Sequence, residues 1–207
     1  MLRRGILKPA GATGLKQQQG FSLLELLLAV SLGLLLLGVG VVALVSEQRL
    51  GGRMGLLLRQ RQLLLRANQL IAADIERGVA LAPELAPVCP LAGRQLWLQL
   101  LSPDGALTTY SLGKPPSGIW QGHVLMRCGP AYGLDGQIAA GSHHQNRVVL
   151  DQLQLPTGDG CSLPQGQQMP GVPLCWEPSS GLVQWQLQLE RDGLVSQRDG
   201  QALLMAW

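Results

Sequence analysis

The chain has 207 residues, enough for one globular domain with further segments, and its charged fraction of 14% is well below the roughly 25% of ordinary soluble proteins. The formal net charge is +3 at pH 7, but four basic residues lie within residues 1–20. Without that segment, 12 Lys plus Arg face 13 Asp plus Glu, a formal net charge of −1 for residues 21–207. Bulk charge therefore gives no support for a nucleic-acid partner.

A long apolar run follows the basic N-terminal segment. Leu26–Val45 contains no charged residue, and its length is about that of a helix crossing a bilayer core. In an ordinary secretory signal peptide the cleavage site follows the apolar region, and no small-residue site of that kind follows Val45. We therefore expect the run to remain as a single membrane anchor.

The junction between the two segments reads Gly20-Phe21-Ser22-Leu23-Leu24-Glu25. This strongly resembles the processing motif of type IV prepilins. The resemblance implies that a prepilin peptidase cuts after Gly20, removes residues 1–20 as a leader and methylates the new amine of Phe21. A glycine suits this position because its backbone enters a narrow protease cleft without a side chain.

Glu25 is the acidic residue at the entrance to the apolar run. A charged side chain at the centre of a membrane helix costs about 2.5 to 3.5 kcal/mol, and less near the helix end. The resemblance implies that, in an assembled filament, Glu25 pairs with the N-terminal ammonium of Phe21 in an adjacent subunit. The alternative is a solvated glutamate that the helix dipole favours at a helix N-terminus.

Charge bias does not decide the orientation of the anchor, since four basic residues lie on each flank. The resemblance and the cysteines favour a cytoplasmic N-terminus in the inner membrane, with the C-terminal domain in the periplasm or outside the cell and later in a surface filament. The implied partners are prepilin peptidase and other pilin or pseudopilin subunits, after initial residence in the inner membrane.

Residues 21–80 contain no proline, which predicts one helix from Phe21 to about Ala80, roughly 90 Å long. Its second part is amphipathic, because leucine and isoleucine recur there at spacings of three and four. We expect this part to pack on the protein's own sheet; a coiled-coil stalk is the alternative. The predicted segments are the leader 1–20, the membrane helix 21–46, the amphipathic continuation 47–80, a linker 81–94 and a β-rich domain 95–207.

Short strand candidates separated by turn-rich sequence follow the Pro-rich linker. The clearest is Leu182–Leu189, in which apolar residues alternate with glutamines. The others are Gln95–Leu101, Ala106–Leu112, His123–Arg127, Arg147–Leu155 and Ala202–Met205. Together they predict an α+β fold, a pilin-like long helix packed on an antiparallel sheet.

A second resemblance lies in the segments TTYSL and VLMRC. They are similar to minor pilins of the W type and to J-type pseudopilins of type II secretion, in which a strand with a tyrosine commonly pairs with a strand that carries an arginine. The resemblance implies that Tyr110 pairs with Arg127 and favours a minor subunit over a major one.

Four cysteines follow the apolar run, an even number that suits disulfides in an oxidising compartment. Sequence allows three pairings; we favour Cys161 with Cys175, which a Pro- and Gly-rich loop separates, and hence Cys89 with Cys128. A zinc site is the competing interpretation, but no clustered Cys and His spacing supports it.

No cofactor or metal site and no catalytic constellation is evident. His143 and His144 read as solvated turn residues, and His123 has no second ligand nearby in sequence. The leading hypothesis is a minor pilin that primes or joins a type IV pilus used in adhesion, motility or DNA uptake, and is not an enzyme. The alternatives are a type II secretion pseudopilin and a single-span membrane-anchored enzyme or receptor.

Overall fold

The computed structural model describes residues 22–133, 136–139, 141–154, 163, 165–168 and 174–205, apart from the side chain of Arg49. The predicted cleavage site, Gly20 and Phe21, and one predicted disulfide cysteine, Cys161, lie outside the described residues. The chain divides into two compact units, with the boundary between Gly51 and Gly52.

One helix, α1 (Leu23–Arg77), runs through both units without a break in its secondary structure. The absence of proline permits this length. The helix ends at Arg77, and the amide of Gly78 donates to the carbonyls of Asp74 and Ile75 at 3.1 and 2.9 Å. The predicted end near Ala80 was three residues too late, because Ala80 already belongs to a strand.

In the first unit, the helix is exposed on all sides. It is long and apolar enough to cross a membrane, with a mean hydropathy of 2.7 over its most apolar window and no part of that window buried. Apolar side chains that face outward all round a helix are typical of a lipid-facing segment. The helix and the sequence at its start together fit membrane anchoring.

Within its described residues, the second unit contains nine antiparallel strands: β1 (Ala80–Leu81), β2 (Gln95–Leu101), β3 (Leu107–Gly113), β4 (His123–Gly129), β5 (Gln145–Leu153), β6 (Gln167–Gln168), β7 (Leu174–Glu177), β8 (Leu182–Arg191) and β9 (Leu194–Leu203). Their order in the sheet is β1-β2-β3-β4-β5-β8-β7-β6, and β9 pairs with β8. The predicted α+β architecture, a long helix packed on an antiparallel sheet, is confirmed.

Most strand predictions agree with the structure to within two residues, and β2 agrees at both ends. The last one was wrong. The predicted strand Ala202–Met205 is the end of β9, which starts at Leu194 and runs for ten residues. Its middle, Ser196–Gly200, is polar, so the apolar alternation that indicates a half-buried strand is missing there.

The core of this unit lies between the lower part of α1 and one face of the sheet. Leu64, Ala67, Ile71 and Ile75 on the helix share a single buried cluster with sheet residues such as Trp97, and the coiled-coil alternative is therefore wrong for this part of the helix. In β8, Val183, Trp185, Leu187 and Leu189 are buried and the glutamines between them are partly exposed, as the alternation predicted.

Candidate functional site

Of the processing motif, the structure describes residues 22–25 at the start of α1, and Ser22 and Glu25 are its polar members. The Glu25 amide donates to Ser22 Oγ at 3.2 Å and to the Ser22 carbonyl at 3.0 Å. Ser22 is thus the N-cap of the helix, and Glu25 is its third residue, the spacing of a capping box. The Glu25 side chain is exposed in the first helical turn, so it is available to a partner outside this chain.

A buried polar cluster lies where the lower end of α1 meets the sheet. At its centre is Asp74, whose carboxylate accepts hydrogen bonds at both oxygens. Arg127 Nε donates to Oδ2 at 2.6 Å and Nη2 donates to Oδ1 at 3.0 Å. Tyr110 Oη donates to Oδ2 at 2.6 Å, and Tyr132 Oη donates to Oδ1. We call Asp74, Tyr110, Arg127, Tyr132 and Arg77 the Asp74 cluster.

Strand register places two members of this cluster side by side. Tyr110 on β3 and Arg127 on β4 are Cα partners, which confirms the pairing that the sequence predicted. Residues directly opposite each other on antiparallel strands lie side by side on one face of the sheet, so both side chains reach the same carboxylate. The tyrosine and the arginine are therefore the sheet half of an ion-pair network whose helix half is Asp74.

Two further members were not predicted from the sequence. Tyr132 lies in the turn after β4, where it bridges to Ile138, and the guanidinium carbons of Arg127 and Arg77 stand 4.8 and 4.9 Å from its ring centroid. Arg77 Nη1 also donates to Tyr132 Oη at 2.6 Å. Both guanidinium groups thus lie within cation–π distance of the Tyr132 ring.

Burial and the Asp74 carboxylate set the titration of this cluster. Burial raises the pKa of Tyr110 well above its ordinary value, and the negative charge of Asp74 raises it further. The pKa of Tyr132 is raised for the same two reasons. Burial works against the charge of Arg127, but the bonds to Asp74 outweigh it and raise the pKa of the guanidinium. At neutral pH the two phenols therefore stay neutral and the Arg127 guanidinium stays charged.

A signal for Asp74 was present in the sequence. The buried helix positions Gln60, Leu64, Ala67, Ile71 and Asp74 recur at spacings of three and four, and buried Ile75 lies four residues after Ile71. A lone acid at that spacing requires a buried cation, because an unpaired charge in a core is costly. Tyr132 gave no comparable signal, since it lies in a Gly-rich turn without periodicity.

A second set of contacts joins the helix to β8 and β9. Trp185 Nε1 donates to Asn68 Oδ1, and Asn68 Nδ2 donates to the Asp199 carbonyl at 2.9 Å. A Cβ added at Gly200 would collide with the Trp185 ring and with the Asn68 side chain. Glycine is therefore needed at position 200 because the tryptophan ring lies directly over its backbone.

The linker is held to the sheet covalently. Cys89 and Cys128 form a disulfide with a Cα separation of 6.0 Å, which confirms that predicted pair. Cys175 is also disulfide-bonded, whereas its predicted partner, Cys161, lies outside the described residues. The linker carbonyls of Ala82 and Leu85 further accept hydrogen bonds from the buried Gln99 amide at 3.0 and 2.8 Å.

The three histidines are not brought together by any contact among the described residues. His123 begins β4, His143 is exposed, and His144 Nε2 lies 3.1 Å from the Leu107 carbonyl. In the described part of the chain, no group of three or more His, Cys, Asp or Glu is arranged to hold a metal ion.

Comparison with protein families matches residues 15–41 to the prokaryotic N-terminal methylation motif. No curated protein and no solved structure matches the chain. The matched range begins in the basic segment, includes Gly20, Phe21 and Glu25, and extends into the exposed apolar part of α1. The chain therefore carries a prokaryotic N-terminal methylation motif, the sequence typical of the prepilin-type cleavage site of type IV pilins and pseudopilins.

Proposed function

We propose that this protein is a minor pilin-like structural subunit that is processed by prepilin peptidase and assembles into, or primes, a type IV pilus. The observation that carries the proposal is the methylation motif over residues 15–41, which leads directly into a helix long and apolar enough to cross a membrane. That helix then continues into a unit where it packs on an antiparallel sheet.

Processing would remove residues 1–20 and leave an N-methylated Phe21 on the cytoplasmic side of the inner membrane. The sheet domain would then lie in the periplasm or outside the cell, where the Cys89–Cys128 disulfide is stable. This topology is consistent with the position of all four cysteines after the apolar run.

Assembly would use Glu25. Its side chain is exposed while its amide is capped by Ser22, so the helix start is stable without using the carboxylate. In a bundle of neighbouring apolar helices, an unpaired Glu25 would be costly, and the methylated ammonium of Phe21 in the next subunit is the cation that such a bundle supplies.

The Asp74 cluster supports a structural rather than a catalytic role for the sheet domain. Each oxygen of the Asp74 carboxylate accepts two hydrogen bonds, so little capacity remains for a ligand. The Tyr110–Arg127 pair favours a minor subunit of the W type, and a J-type pseudopilin of type II secretion equally, so the pseudopilin is the second candidate function.

Mass spectrometry of the protein purified from its native membrane tests the proposal. We expect a chain that starts at N-methyl-Phe21 and contains two disulfides. A Gly20→Val variant should keep its leader, whereas Gly14→Val, which changes another leader glycine, should be processed normally. Normal processing of the Gly20 variant would favour the single-span enzyme or receptor over a pilin-like subunit.

Deletion of the gene separates the two assembly roles. Loss of surface pili with normal protein secretion supports a minor pilin, whereas loss of secretion with normal pili supports a pseudopilin.

A further inference from the structure

An open cleft of about 310 Å³ lies between the lower part of α1 and strand β5, within the second unit. Its lining includes charged, aromatic and aliphatic side chains: Arg66 and Leu70 of α1, Arg147 and Val149 of β5, and Arg127 and Tyr132 of the Asp74 cluster. The cleft is thus built from a helix, a strand and the edge of a buried ion-pair network.

Positive charge in the cleft is only partly neutralised. Arg127 is compensated by Asp74, to which it gives two hydrogen bonds. Arg66 and Arg147 are exposed, and neither makes an ion pair with a residue in the described ranges. The described lining contains no aspartate or glutamate. Two guanidinium groups are therefore available to an anion.

Strand register places two of the positive charges of the cleft next to each other. Arg127 and Arg147 are Cα partners on β4 and β5, and like charges directly opposite each other on antiparallel strands are destabilising. Asp74 offsets the charge of one partner only. An anion bound beside Arg147 would relieve the remaining repulsion, so this pair has the arrangement expected of an anion site.

The apolar residues of the lining indicate which class of anion the cleft favours. Leu70 and Val149 are half-buried and present aliphatic surface beside the arginines. A carboxylate on an aliphatic stem satisfies both the guanidinium forks and this surface, whereas a phosphate ion uses only the charges. The volume is at the lower end of the range for ligand sites, about 300 to 1,000 Å³, and holds one or two side chains.

We propose that this cleft binds an acidic peptide segment, with a glutamate or aspartate side chain seated between Arg66 and Arg147. We expect a neighbouring subunit of the filament to supply this segment, an expectation that rests on the proposed function. Recognition of the carboxylate rests only on the cleft. A nucleic-acid ligand is disfavoured because residues 21–207 carry a formal net charge of −1.

Calorimetric titration of the full chain in a neutral detergent at low ionic strength tests the proposal. The probes are a blocked hexapeptide with a Leu-Glu-Leu centre, the same peptide with Gln in place of Glu, and inorganic phosphate. We expect the Glu peptide to bind, and the Gln peptide to bind weaker by on the order of tenfold, because a charge-assisted hydrogen bond contributes about that much.

Variants assign the binding to the cleft. Arg147→Gln and Arg66→Gln should each weaken the Glu peptide by on the order of tenfold. Arg198→Gln and Arg61→Gln change exposed arginines on β9 and α1 that do not line the cleft, and should leave its affinity unchanged.

Three results would overturn the proposal: no binding of the Glu peptide at millimolar concentration, equal binding of the Gln peptide, or equal losses in the control variants. Phosphate that competes with the peptide at equal affinity would reduce the cleft to a general anion site. The mass of the protein in the same preparations shows independently whether the leader has been removed. Absence of peptide binding with a removed leader would contradict only the cleft proposal, whereas a retained leader would contradict the pilin-like role.

Discussion

Asp74 is the residue on which the contact between helix and sheet most depends. It is 5% exposed and is the carboxylate partner of the buried Arg127. We expect Asp74→Asn to lower the free energy of unfolding by about 3 to 5 kcal/mol, because it leaves a guanidinium buried without its anion. Urea unfolding of the detergent-solubilised protein, followed by tryptophan fluorescence, measures the change.

The matched control is Glu76→Gln, which alters an exposed acid two residues away on the same helix. It should change stability by less than about 0.5 kcal/mol. The double variant Asp74→Leu with Arg127→Met should regain much of the loss, since it removes both buried charges. If Asp74→Asn were as stable as the wild type, the ion pair would not be a principal helix–sheet contact.

The two tyrosines of the chain, Tyr110 and Tyr132, both belong to the Asp74 cluster, so tyrosinate absorbance reports on this site alone. Because their folded pKa values are raised, the folded state retains protons that the unfolded state loses above about pH 10. The stabilisation is complete below that pH and is lost as pH rises through the folded pKa.

We therefore expect absorbance at the tyrosinate band to rise near pH 10 in denaturant and at clearly higher pH in the folded protein. Over that interval the free energy of unfolding should fall by up to about 1.4 kcal/mol per pH unit for the fully buried Tyr110. Tyr110→Phe should remove most of this slope. Coincident titrations with and without denaturant would contradict the buried, Asp74-bonded geometry.

At the scale of elements, β9 depends on the close approach of Trp185 to Gly200, which are Cα partners in the β8–β9 hairpin. Gly200→Ala places a methyl group against the tryptophan ring and against Asn68. We expect a loss of about 1 to 3 kcal/mol, the range for overpacking a well-filled core. Thermal unfolding measures it, with Gly118→Ala as control because a Cβ there meets nothing within 4 Å. Equal melting temperatures for the two variants would contradict the packing.

Strands with a buried face and clear alternation could be predicted from sequence, and β2 and β8 are examples. Strand β9 could not be bounded by alternation because the segment Ser196–Gly200 is polar. Its start was nevertheless signalled by Asp192-Gly193, which adopt φ of 52° and 73°, the left-handed pair that a two-residue hairpin turn requires. A turn motif was thus more informative here than hydropathy.

The candidate functional residues also differ in how far apart they lie in the sequence, and this distance decided which of them could be predicted. The motif at the N-terminus is contiguous in sequence, so the cleavage site and Glu25 could be predicted without a structure. The Asp74 cluster joins residues 36 and 53 positions apart along the chain, and the Cys89–Cys128 disulfide closes a separation of 39. The Tyr110–Arg127 pair was predicted through resemblance, and the Cys89–Cys128 disulfide followed from the preferred pairing of Cys161 with Cys175. Asp74, the carboxylate that Tyr110 and Arg127 both bind, was identified only from the packed helix.

At the scale of the whole molecule, the proposed function assigns Glu25, at the start of the apolar helix, a role in filament assembly. We predict that Glu25→Ala is processed normally, because cleavage depends on the junction at Gly20, but enters filaments poorly, because its partner ammonium loses its anion. Glu47→Ala, which removes an exposed acid beyond the apolar run of the same helix, should assemble normally. Mass spectrometry measures processing, and immunoblots of sheared filaments measure incorporation. Filaments containing Glu25→Ala at the wild-type level would disprove the ion pair, while an uncleaved Glu25→Ala precursor would instead assign Glu25 to recognition by the peptidase.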